Sequence, residues 1–595
     1  MRTNRQIVEY TLTPARTHLL WTTLFEPALP MTPQDFELSG VLPAIMYMAR
    51  FGQRRGAGKF ARTFPDADGN GRNATTISSV ASVLAQQHAN LLGFDDEVGQ
   101  AMLGDMLLTW CLENNNLSEG RGVKVARVYP THFLASWIDL PAKIGHLRGV
   151  PELITSVLAD QPNSEFVTPI RTGRFPIGVP PDIAPPGSNP LLTVLGAAIR
   201  SSTTNTARLT ADALDETLAG SLGMGELLMA RMALATGQAP TQASGGPRGG
   251  NIPNRLPANI QSARGFREDV TAFVRHFGER VPRQTLTQML ECAFSVGMTQ
   301  MVLRSAQSLF HLERSGSPVP KSVFADPWPL FVDCSEGRDR QLRHQAEDSM
   351  AETYRRFERL PVVMMIFRII YDYLHEARLY PTLIPHRVPD PTKLLETLAE
   401  VYRGEGKNSD SLNRDIGRDC RRLAQQLRGP DGDDPDPEHV QIASALDDAQ
   451  THPVTRLAEA LCELMGFENQ QKHYLETLNS SMGAARATGL VARRRIGRAG
   501  YARSVVLHTP MIDYLVHRHL VSEPGDRLRQ LSLKNFLYRL RTRHGLWIDQ
   551  APPGTDVPSD LLRRNKELFE ARLRDLGLLV TVNDAETMKS LRERY

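Results

Sequence analysis

Cysteine is scarce and never paired: the five in 595 residues, Cys111, Cys292, Cys334, Cys420 and Cys462, stand singly, with no CxxC among them. That excludes a disulfide framework and a cysteine-rich zinc site, and it fits a reducing compartment. Long apolar runs are missing too. A membrane-spanning helix needs about 18–20 consecutive apolar residues, whereas the longest run here, Leu360 to Ile370, is interrupted by Arg368. The opening residues, MRTNRQIVEY, hold no apolar segment of the secretory kind. The expectation is a cytoplasmic chain with no membrane partner. What remains, 41% hydrophobic and 23% charged residues, is the make-up of an ordinary globular protein. Its length exceeds what one core usually serves and predicts several domains.

One stretch lacks acid. Between Ser481 and Arg503 there are six arginines and no Asp or Glu. The net charge of +3 conceals this asymmetry: residues 481–595 hold 21 Lys and Arg against 12 Asp and Glu, a balance of +9, so the first 480 residues sum to −6. A basic tail on a mildly acidic body points to a localised contact with a polyanion. Arginine without nearby carboxylates is expected to be available to an external partner. The candidate nucleic-acid-binding residues are therefore Arg486, Arg493, Arg494, Arg495, Arg498 and Arg503, with Tyr501 placed to stack or to reach a phosphate. The bland alternatives are a solvated basic strand or a surface for an acidic protein.

Apolar periodicity predicts a mainly α, multidomain chain. A helical first domain spans 1–160. A connector with short helices follows over 161–262, rich in proline and then in glycine, which break regular structure. A central helical domain, with helices at 267–277, 284–311 and 339–377, runs over 263–438 and ends in the acidic loop GPDGDDPDPE. In the last segment, 439–595, helices at 453–465 and 469–482 precede a β-prone pair of runs around Gly497 and Gly500. Helix, helix and basic hairpin is the order of a winged-helix module. Further helices are expected at 509–521, 531–543 and 559–576, the last capped by Ser559, then a strand at 578–582.

Motifs of chemistry are weak. Asp66, Asp68 and Asn70 with Gly71 begin like a calcium loop, but the twelfth position, which should be Glu, is Ile77, and a polar turn is the better reading. The stretch from Gly52 to Phe60 imitates a phosphate loop, yet Gln53 stands where glycine is needed and Phe60 where Ser or Thr would hold magnesium. Cys334 with Asp333 and His344 could form a nucleophile group, while Ser335 as a helix cap explains the same residues. His517 and His519 are two apart on a helix and share no face, so with His508 and His544 they do not make a zinc helix. No metal and no cofactor is expected.

Three stretches carry a resemblance: FVDCSEGRD (331–339) with Gln341 and Arg343; LSLKNFL (531–537) with Arg543 to Leu546; and Asn565 with RLRDLGL (572–578). Here the chain resembles accessory proteins of bacterial anti-phage defence islands, of the methylation-associated defence type. The resemblance implies work beside other gene products, such as a methyltransferase, nuclease or ATPase, and carries over no catalytic residue. With the arginine stretch, it leads to the expectation of a non-enzymatic subunit that binds double-stranded DNA among other defence-system proteins. A divergent metal-dependent nuclease and a pure protein–protein scaffold stay open as alternatives.

Overall fold

The computed structural model describes residues 3–12, 24–51, 64, 75–87, 93–114, 124–136, 138, 147, 149–159, 190–196, 223–236, 256–314, 326–377, 391–405, 409–429, 436–497, 500–521, 531–581 and 589–595. The calcium-like and phosphate-loop-like stretches, most of the Pro- and Gly-rich connector, most of the acidic loop and Arg498 lie outside them. The described chain is mainly helical, as the periodicity predicts. None of its helices is long and apolar enough to cross a membrane.

The Arg283–Arg314 helix is the axis of the molecule. It is buried on all sides over most of its length, the condition of a helix that carries apolar or small residues around its whole circumference. Two of its buried hydroxyls turn back on their own helix, Thr287 to the Arg283 carbonyl at 3.0 Å and Ser308 to that of Arg304 at 2.8 Å. The Ile260–Phe277 helix crosses it where Gly297 meets the Phe266 ring; a Cβ at 297 would lie 2.0 Å from that ring. One buried hydrophobic cluster runs from Ile7 to Leu591 and draws residues from all four expected segments.

The helix expected over 339–377 is two, Arg340–Phe357 and Leu360–Glu376. Pro361 cannot donate to a preceding turn and instead begins the second helix. The cap expected at Ser335 is Asp339, whose carboxylate accepts from the Gln341 and Leu342 amides at 2.9 and 3.1 Å. Ser335 supports it from outside the helix, its hydroxyl accepting from the Asp339 amide at 2.9 Å. The Ser559–Asp575 helix has no side-chain cap; Pro558 precedes it.

Strands are few. β1 (Leu112–Asn114) and β2 (Val125–Val128) make an antiparallel pair that the sequence did not announce. The main sheet has the order β4-β5-β3-β7, from β3 (Leu330–Asp333), β4 (Val491–Ile496), β5 (Gly500–Val506) and β7 (Leu546–Trp547). β6 (Leu531–Ser532), β8 (Leu579–Thr581) and β9 (Lys589–Leu591) form a smaller antiparallel sheet. β4 and β5 are the expected hairpin, antiparallel from Val491↔Val505 to Ile496↔Gly500, with Gly497 at φ +60° in its turn.

The hairpin is not a free-standing wing: β5 runs parallel to β3, and β3 parallel to β7. A strand covered on both faces is mostly apolar; all four residues of β3 are buried, Leu330, Phe331 and Val332 followed by Asp333 at its end. Fully buried Asn565 bridges its flank. Its Nδ2 donates to the Val332 and Ile548 carbonyls at 2.8 and 3.0 Å, and its Oδ1 accepts from the Cys334 amide at 2.9 Å.

Candidate nucleic-acid interface

The hairpin is anchored at one end and bare at the other. Val491, Val505 and Val506 are buried at its root, whereas Arg493 to Ile496 and Gly500 to Tyr501 are exposed. Side chains alternate across a strand, so consecutive exposure means that both faces of the tip meet solvent. Ile496 and Tyr501 are 50% and 53% exposed there, apolar surface left beside the arginines.

In this register Arg493 stands opposite Arg503, and Arg495 opposite Tyr501, on one face; Arg494 stands opposite Ala502 on the other. Like charges across a ladder repel, and the fold relieves the Arg493–Arg503 pair with an aromatic ring. The Arg503 guanidinium lies 5.0 Å from the ring centroid of Tyr354, on the Arg340–Phe357 helix. Burial pushes the Tyr354 hydroxyl up to about 12, against the pull of Arg503 and Arg493. It stays protonated and donates to Asn479 Oδ1.

Two of the six arginines are not free of carboxylates, contrary to the local reading. Arg494 makes a two-pronged ion pair with Glu347, both bonds 2.9 Å. Arg486 pairs with Glu37. Neither acid is near in sequence, which is why an acid-free stretch was a poor guide. These pairs are part-exposed (Arg494 is 47% exposed), and such pairs are worth roughly 0–1 kcal/mol. A phosphate can therefore compete for them. Arg493 and Arg495 are exposed on the hairpin, and Arg493 makes no hydrogen bond or ion pair among the described residues.

At the hairpin root is a cavity of about 510 Å³. Asp35, Phe36 and Glu37 form one wall, the end of the Phe467–Ser481 helix with Asn479 and Ser480 a second, and Arg486 and Arg493 a third. The Phe36 amide donates to the Ser480 hydroxyl at 3.0 Å and fixes the first wall to the second. Asp35, Glu37, Glu347, Tyr354 and Asn479 are the residues that sequence reasoning missed. Each meets the arginine segment only through tertiary packing, and no local signal marks it.

The other candidate groups are not assembled. Cys334 is fully buried, and burial raises its thiol far above the ordinary value. His344 is 70% exposed on the outer face of its helix, against Asp348 at 2.8 Å. Asp333 instead ties the turn after β3, accepting from the Ser335 hydroxyl and the Ser335 and Gly337 amides at 2.6–2.8 Å. His519 and His544 meet in the core with 2.9 Å between their Nε2 atoms. His517 accepts from the Arg594 amide at 3.0 Å on one ring nitrogen and donates to the Asp513 carbonyl at 2.7 Å from the other. Among the described residues no group of three or more His, Cys, Asp or Glu could hold a metal ion.

A comparison with curated proteins finds no match. The family model described as methylation-associated defense system protein MAD7 matches residues 247–595, more than half of the chain and the whole of the sheet and hairpin. The chain belongs to that family.

Proposed function

From that membership and the bare arginine tip, we propose that the chain is a DNA-holding, non-catalytic subunit that works beside other proteins of a methylation-associated defence system. The observation that carries the reading is the hairpin: anchored in a mixed sheet, exposed on both faces, and arginine-bearing on each. Presented as a wing, such a tip lies along a duplex backbone or enters its minor groove, where arginine is favoured. Arg493, Arg495 and Arg498 meet phosphates. Arg494 and Arg486 exchange Glu347 and Glu37 for phosphate, and Tyr501 stacks or donates to a phosphate oxygen.

The contact is electrostatic, so its signature is salt. Five phosphate contacts make log affinity fall with log salt at a slope of about −4 to −5. Fluorescence anisotropy of a short labelled duplex across a salt series reads this directly. Replacing Arg493, Arg494 and Arg495 with Ala should weaken binding and flatten the slope; an unchanged slope rejects the reading.

A second reading has its own support. Arg494 and Arg486 already pair with carboxylates, so an acidic protein surface could occupy the hairpin instead of DNA. That scaffold predicts no duplex binding even at low salt. A nuclease finds no support in a metal-ligating group among the described residues, and cleavage of plasmid DNA in magnesium would revive it.

A further inference from the structure

The cavity at the hairpin root holds, beside the Arg486–Glu37 pair, opposite charges that the described residues do not quench. Asp35 is exposed and, like Arg493, makes no hydrogen bond or ion pair among the described residues. Glu37 uses one carboxylate oxygen for both the Ser39 hydroxyl and Arg486, so its second oxygen is unengaged there. Asn479 accepts from Tyr354 through its carbonyl oxygen, and its amide NH2 has no partner among the described residues. The small exposed part of Phe36 completes the lining. A ligand that satisfies this set carries an anion for Arg493 and a hydrogen-bond donor for a carboxylate.

We propose that this cavity receives one nucleotide whose base carries an exocyclic amino group: adenine, cytosine or guanine. The phosphate meets Arg493, and the amino group donates to Asp35 or Glu37, the pairing by which acidic side chains read cytosine. Thymine has no exocyclic amino group, and its one base donor, N3–H, lies between two carbonyl oxygens that repel the carboxylate, so it is disfavoured. The volume, about 510 Å³, is that of a small-ligand site. The nucleotide comes either from solution or from a duplex held on the hairpin, everted as enzymes evert a base they must reach. Only the second source rests on the DNA-holding reading.

Two measurements on the full chain separate the sources. In the first, dAMP, dCMP and dTMP are titrated by calorimetry. The expectation is at least tenfold tighter binding of dAMP and dCMP than of dTMP. Asp35→Asn should erase most of that preference, and Arg493→Ala should weaken all three alike. Asp35 is exposed and unbonded, so its replacement spares the fold, as a thermal melt checks. In the second, a duplex with 2-aminopurine in a central mismatch is brought to saturation with protein. A several-fold fluorescence rise, lost in Asp35→Asn, supports an everted base.

Discrimination among free nucleotides without that rise supports the cavity and assigns it a nucleotide from solution. Discrimination with no duplex binding at low salt also supports the cavity, while the DNA-holding function fails. Equal or absent binding of the three nucleotides, with no rise, overturns the proposal and leaves duplex holding untouched.

Discussion

The two flanks of the main sheet treat polar groups in opposite ways. On the β3–β7 flank a single buried amide, Asn565, satisfies three backbone groups, and at the entry to β7 two buried histidines face each other. On the β4–β5 flank seven described residues of the tip are exposed, and its arginines hold loose partners where they hold any. Removing water from a polar group costs about 1–3 kcal/mol unless a partner replaces it, so the first flank has fixed one solution for each group. The second leaves its charges to be satisfied by whatever arrives. Arginine on an outer strand also discourages another strand from pairing there. The flanks share hydrogen bonds, yet one makes the structure and the other offers the contact.

The sharpest way to break this contrast is at Asn565. Its replacement by Ala takes a partner from each of three buried backbone groups and should cost about 3–5 kcal/mol, read as a lower urea midpoint. A loss under about 1 kcal/mol would mean that water fills the gap.

Next comes pH, acting on the same flank. Burial lowers His519 well below its ordinary value and His544 to about 4, with Asp269 opposing the shift at His544. Both are neutral when folded, whereas an unfolded chain takes up protons near pH 6.5. Their contribution is thus present above pH 6.5 and lost as the pH falls towards 4. Urea midpoints between pH 7.5 and 4.5 should decline by the equivalent of a few kcal/mol, and a chain with Gln at both positions should decline less.

On the tip, stability and binding should separate. Arg493→Ala with Arg495→Ala should weaken duplex binding about 10- to 100-fold and reduce the salt slope by about two. The thermal midpoint should hardly move, since exposed substitutions stay within about 0.5 kcal/mol. Anisotropy and calorimetry on one preparation check both. The smallest effect is at Glu347→Gln, which releases Arg494 and should tighten duplex binding about two- to fivefold at a cost of at most about 1 kcal/mol. Weaker binding there would assign Glu347 to holding the hairpin in place.

Local pattern carried much of this organisation. The helices Pro453–Leu464, Phe467–Ser481 and Thr509–His519, and the hairpin after the second of them, were legible because each rests on neighbouring residues: a 3.6-residue period, a proline start, a glycine turn. β3 was legible as a short apolar entry to a turn, but its neighbours were not, since β5 and β7 join it across some 170 and 215 residues. The break before Pro361 was hidden inside one continuous apolar period. At the candidate site, the arginines stood out by local charge. Glu37 and Glu347, which decide how free two of them are, lie 449 and 147 residues away.

Separations of that kind set a timetable for the newborn chain. β3 is completed just past the middle of synthesis, but the ribosome must add about 210 more residues before β7 follows, some 10–40 s at 5–20 residues per second. For roughly the first 170 of those residues a strand led by Leu330, Phe331 and Val332 lacks both of its neighbours and is a segment prone to wrong associations. The Arg340–Phe357 helix, which packs on β3 in the finished molecule, emerges directly behind it and can shelter one face while the strand waits.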